Sequence, residues 1–139
     1  MAPTGENRFC VLLPQEPGAW LETVSRLLEP MGVRTVLARS GHDALHLLAG
    51  QTFHAAVLDT DMPLLGGMQV VRLMRESSNR TPAILLSPRV TTQLMREALQ
   101  MSVFSVLGKP VDVNVLLDSL ARVLRRYYES RWPGTVGEC

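Results

Sequence analysis

Ala55-Ala56-Val57-Leu58-Asp59-Thr60-Asp61-Met62-Pro63 is the stretch on which the fold turns. Four apolar residues run without a break into an acid, a hydroxyl, a second acid and a proline. That pattern describes a short strand buried on both faces, with polar side chains delivered at its carboxyl end. Similar apolar runs stand on either side, at 9–13, 33–38, 83–86 and 103–107. Periodicity cannot separate such short runs from buried helix, so the segments between them decide.

Those segments read as helices. Trp20, Leu21, Val24, Leu27, Leu28 and Met31 recur at helical spacing, with Pro30-Met31-Gly32 as the stop. Residues 43–49 form a short helix closed by Gly50, and 67–76 carry Val70, Val71, Leu73 and Met74 toward a core. Thr91 or Thr92 caps a helix bearing Leu94, Met95, Ala98 and Leu99. Asp112 caps the last one, whose apolar side is Val113, Leu116, Leu117, Leu120, Val123, Leu124 and Tyr127. Its wet side holds Asp118, Arg122, Arg125, Arg126 and Glu129. Five strand–helix units with right-handed crossovers predict an α/β fold, a doubly wound five-stranded parallel sheet with helices on both faces. The expected domain covers 8–128, with flexible tails at 1–7 and 129–139.

Composition narrows the function classes. A chain of 139 residues makes one domain and buries roughly 70% of its unfolded surface. With 14 Lys+Arg against 13 Asp+Glu there is no broad basic field for nucleic acid. No apolar stretch approaches the ~20 residues of a membrane span, and 1–7 lack the make-up of a signal peptide. Cys10 and Cys139 are too few for a disulfide framework, so a reducing cytoplasm is expected. His42 and His46 stand four apart on a short helix, but no acid or Cys completes a metal set with them, and with His54 they read as surface or packing residues.

In open parallel sheets the ligand crevice lies outside the carboxyl ends of the strands. Pro14 and Gln15 follow the first strand, Asp59, Thr60 and Asp61 the third, Ser87-Pro88 the fourth and Lys109-Pro110 the fifth. A carboxylate, a hydroxyl and an ammonium therefore converge on one edge. Asp59 with Met62-Pro63, the run from Pro82 to Ser87, and Lys109-Pro110, in that order, resemble the response-regulator receiver domain of two-component signalling. The resemblance covers about residues 8 to 128. It implies a flavodoxin-like sheet in strand order 2-1-3-4-5, with Asp59 as phosphoacceptor. Ser87, Lys109 and Thr60 become partners of the phosphoryl group.

The sequence departs from the family's pattern at three places. Receivers carry an acidic pair after the first strand to hold Mg²⁺, and here those positions are Pro14 and Gln15. At an effective dielectric of ~20, a carboxylate 4 Å from a divalent ion supplies on the order of 8 kcal/mol before desolvation. Metal binding is therefore expected to be weak, and Glu16, Asp59 and Asp61 are the candidate ligands. Pro88 follows the switch hydroxyl and has no N–H to donate. Val106 stands at the switch position usually held by an aromatic ring, while Phe104, on the same strand face, reads as core.

The expected function is a degenerate receiver, not an enzyme and without a required cofactor, acting through contact with a histidine kinase or downstream effector. No nucleic acid or membrane partner is expected. An intact phosphoacceptor using Asp59 is one alternative. A phosphohydrolase similar to the haloacid dehalogenases is another, because Asp59-Thr60-Asp61, Ser87 and Lys109 follow that family's motif order. Tyr127, Tyr128 and Trp132 either cap the core or form a patch through which the last helix makes a homodimer. The arginines at 122, 125, 126 and 131 read as a solvated helix face.

Overall fold

Alternation along a strand sends neighbouring side chains to opposite faces, so a strand that is apolar at every position needs cover on both sides. The computed structural model, which describes residues 8–15 and 19–128, supplies that cover with helices. In chain order the elements are β1 (Phe9–Pro14), α1 (Trp20–Leu28), a 3₁₀ turn (Glu29–Met31), β2 (Val33–Ala38), α2 (Gly41–Gly50) and β3 (Ala55–Asp59). Then come α3 (Gly67–Glu76), β4 (Ala83–Ser87), α4 (Thr92–Gln100), β5 (Ser105–Gly108) and α5 (Val113–Tyr127). All strand pairs are parallel, and the order is β2-β1-β3-β4-β5. The doubly wound reading and its strand order are met.

Two apolar cores flank the sheet. Phe9, Val11, Leu13, Val57, Ile84 and Leu86 meet Leu21, Val24 and Leu28 of α1 and Leu116, Leu120, Val123 and Leu124 of α5. On the other face Leu12, Ala56, Leu58 and Leu85 meet Ala44 and Leu48 of α2, Val70, Val71 and Met74 of α3, and Ala98 of α4. Each fully buried Leu, Ile or Phe adds roughly 1.5–3 kcal/mol, which is the main force holding helices to sheet.

Several boundaries differ from the sequence reading. β1, β3 and β4 each run one residue further, into Pro14, Asp59 and Ser87, so the rim residues are themselves strand ends. α2 begins at Gly41 because Ser40 accepts the Asp43 N–H as its N-cap. α1 stops at Leu28, and Gly32 closes the 3₁₀ turn with φ +82°. β5 starts at Ser105, and Phe104 sits at a bend before it. The ring of Phe104 packs on the α5 side while Val106 packs on the α2–α4 side, so the two do not share a strand face.

The apolar faces of α1 and α4 are narrower in the fold than their spacing predicts. Leu27, Met31, Met95 and Leu99 are exposed, and only Ala98 of α4 is buried. Tyr127 is exposed as well, whereas Tyr128 turns inward to within 5.9 Å of the Phe9 ring and 5.0 Å of His54. Trp132, Arg131 and Cys139 lie outside the described residues. His54 is a packing residue: its Nδ1 accepts the Cys10 N–H at 3.0 Å and its ring meets Phe9 edge-on at 5.1 Å.

Candidate functional site

The register of the sheet brings the polar residues together. Asp59 pairs with Leu86 across β3–β4, and Ser87, one residue on, pairs with Gly108 across β4–β5. Lys109 follows Gly108, so the acid, the hydroxyl and the ammonium stand on adjacent strand ends. Lys109 holds its place through its N–H, which bonds the Ser87 carbonyl at 2.9 Å, ahead of a cis peptide to Pro110.

Asp59 is 4% exposed, and a carboxylate that dry needs partners. Lys109 Nζ donates to Oδ2 at 2.5 Å, and the Asp61 N–H donates to Oδ1 at 2.8 Å. The second bond makes Asp59-Thr60-Asp61 an Asx turn, in which a side chain accepts from the backbone two residues on. Met62 N–H reaches the Asp59 carbonyl at 3.2 Å and tightens the same turn. Gly67 opens α3 hard against this backbone, where a Cβ would lie 2.8 Å from the Asp59 oxygen. The first residue of α3 thus lies backbone to backbone against Asp59.

The proposed phosphoryl partners are placed unevenly. Lys109 is on the carboxylate. The amide of Thr60 is committed to the Leu86 carbonyl at 2.9 Å, so the amide that faces the carboxylate is that of Asp61. Ser87 is buried at the rim, and its hydroxyl donates to the Arg89 carbonyl at 2.8 Å and accepts the Arg89 N–H at 3.2 Å. That turn wraps Pro88, which has no N–H to offer. Sequence reasoning missed both turns, although Asp-x-Asp and Ser-Pro-Arg are the compositions from which such turns are made. Val106 lies half-buried beside Leu85, with no ring to move.

β1 ends beside this constellation. Pro14 is buried and paired with Ala38, and Gln15 is exposed with its N–H on the Ala38 carbonyl at 2.8 Å. Continuing the register that sets Val11 beside Ala55 and Leu12 beside Ala56 brings Gln15 level with Asp59. Glu16 lies outside the described residues. Among the described residues no three His, Cys, Asp or Glu side chains converge as a metal set. Magnesium prefers near-octahedral oxygen ligands with carboxylate charge. Pro14 has no side-chain donor and Gln15 offers a neutral amide, so the described end of β1 brings no carboxylate to such an ion.

Comparison with known proteins places this geometry among relatives. The family model for the response regulator receiver domain matches residues 11–121. The Regulator of RpoS of Escherichia coli K12 is 31% identical over 129 residues, covering 92% of this chain and 37% of that protein. Response regulator MprA of Mycolicibacterium vanbaalenii is 31% identical over 116 residues, covering 84% of the chain and 50% of MprA. The chain thus spans between about a third and a half of these relatives' lengths. The receiver domain of the Francisella response regulator 1452 superposes with a TM-score of 0.76 at 25% identity, covering 86% of this chain and 98% of that one.

Proposed function

The chain belongs to the response regulator receiver domain family of two-component signalling, and on that footing we propose that it is a degenerate receiver. In this reading Mg²⁺-dependent phosphorylation of Asp59 is impaired, and the chain works by contact with signalling proteins rather than by turnover. What supports it is the sequence at the end of β1, where we read Pro14 and Gln15 as occupying the positions of the family's acidic pair.

Phosphoryl transfer needs a metal and preorganised donors to take up charge on the moving oxygens. Lys109 and the Asp61 amide remain for that task. The donor at position 88 is lost, and the Ser87 hydroxyl is held by Arg89. These deficits act on one charge and compound. A second reading, the haloacid-dehalogenase-like phosphohydrolase, needs a further acidic pair after the lysine. Asp112 instead caps α5 through the Asn114 and Val115 N–H groups, and Asp118 pairs with Arg122 at 3.2 Å.

Incubation with acetyl phosphate and millimolar Mg²⁺, followed by intact-mass measurement, tests the proposal. No phosphoryl adduct is expected on the chain as it stands. The double substitution Pro14→Asp with Gln15→Asp should raise Mg²⁺ affinity by at least roughly tenfold, because it returns two charges worth several kcal/mol each to the ion. A ready adduct on Asp59 of the unaltered chain overturns the reading.

A further inference from the structure

At the opposite end of the sheet from Asp59, the last two turns of α5 meet the bend that precedes β5. A cleft of about 380 Å³ opens there, lined by Phe104, Arg122, Arg125 and Arg126. The aromatic floor is the Phe104 ring, and Tyr127, beyond the lining, stands edge-on to that ring with centroids 6.4 Å apart. The walls are cationic. Arg122 lies over the Phe104 ring at 5.9 Å, and Arg126 lies over the Tyr127 ring at 6.0 Å. Among the described residues Asp118 pairs with Arg122 at 3.2 Å, while both side chains remain more than half exposed.

We propose that this cleft is a docking site for an acidic segment of a partner protein, one that carries an aliphatic or aromatic residue among its carboxylates. Favourable placement near the negative end of the α5 dipole accounts for a cation or two, worth at most about 1 kcal/mol each at the surface. It does not account for an aromatic floor beneath them. A guanidinium presents a planar fork of N–H donors, which suits two-pronged binding of carboxylate. Arginine beside exposed aromatic surface is also the composition of strong contact points between proteins. Nucleic acid fits less well. A duplex is held by a track of roughly 6–10 phosphate contacts, whereas this patch has three arginines and the whole chain carries a net charge of only +1. The inference deepens the reading that the chain works by contact, but it does not depend on Asp59. Phosphorylation of Asp59 would overturn the degenerate reading and leave this one standing.

The test is fluorescence anisotropy of the full chain with a fluorescein-labelled peptide of about a dozen residues, Glu and Asp around a Leu-Phe pair. A peptide with Gln and Asn for the acids and a single-stranded oligonucleotide of equal charge serve as the other arms. Saturable binding of the acidic peptide is expected, weakening with added salt. Arg125→Glu with Arg126→Glu should lower the affinity at least roughly tenfold, and Phe104→Ala by about fivefold. Arg39→Glu, at the other end of the sheet, should change it less than about twofold. All these arginines are exposed, and far-ultraviolet circular dichroism confirms that each variant folds. No saturable binding at low salt, tighter binding of the oligonucleotide or the neutral peptide, or an affinity indifferent to Arg125 and Arg126 overturns the proposal.

Discussion

Lys109 and Asp59 are unequal partners, and their exposures decide what each loss costs. The Asp59 side chain is 5% exposed and that of Lys109 is 23% exposed. Lys109→Met leaves a buried carboxylate without its ammonium, whereas Asp59→Asn leaves an ammonium that still reaches solvent. Breaking a buried pair from the side that leaves the dry charge is the costlier change. Urea unfolding at neutral pH should therefore show Lys109→Met destabilised by about 2–3 kcal/mol and Asp59→Asn by less than about 1 kcal/mol. Equal losses would mean that the pair is wetter than its geometry. The convergence of these two residues was legible in the sequence, since strand ends in a parallel sheet share one edge. The hydrogen bonds around them were not. Whether Thr60 or Asp61 turns its amide inward depends on which carbonyl of β4 claims the other, and that is a matter of register.

Element junctions show the same division. Arg75, on α3, reaches out of its helix and donates to four carbonyls. Its Nε bonds Met101 at 2.9 Å, one Nη bonds Asn79 and Thr81 at 2.9 Å each, and the other bonds Ser102 at 3.2 Å. It thus pins the end of α4 and the loop into β4 to α3. Burial pulls this guanidinium below its ordinary value, Arg80 adds to the shift, and Tyr127 opposes it. Arg75→Met keeps the stem but leaves those carbonyls short of donors. A loss of about 2–4 kcal/mol is expected in urea unfolding, together with faster amide exchange in the α4–β5 turn. A loss under about 0.5 kcal/mol would show that water replaces the guanidinium. In sequence Arg75 is one cation on a helix with a polar face, and nothing there distinguishes a clasp from a solvated side chain. The exposure of Met95 and Leu99 was hidden for a related reason: spacing names the apolar side of α4 but not how much of it the sheet covers.

The whole molecule is a sheet wrapped on both faces, and Cys10 reports on that wrapping. It is a free thiol in β1, 8% exposed. Burial pushes the thiol above its ordinary value of 9.0, while Arg34 pulls part of the way back. A raised value in the fold means that the stability linked to this group is complete below the ordinary value and is lost as pH rises through the folded one. Wild type and Cys10→Ala should thus differ most near neutrality, and the gap should narrow above about pH 9. A gap that stays constant to about pH 10 would place the thiol in contact with water. At this scale the sequence was most informative. Five buried runs separated by amphipathic segments leave few parallel arrangements, and the two apolar faces of each strand dictate two layers of helix. The limits of elements were less legible, because Pro14, Asp59 and Ser87 extend strands with residue types that usually end them.

One close approach at the rim has a mechanical meaning. Gly41 opens α2 with its N–H on the Pro63 carbonyl at 3.2 Å, and a Cβ there would lie 1.9 Å from the Leu65 carbonyl oxygen. Main chain bears directly on main chain, without a side chain between them to act as a cushion. The loop that begins at Asp59 and the head of α2 therefore share one hinge-free seat. Whatever lifts the one must carry the other, so a partner gripping either shoulder of the crevice feels the position of both.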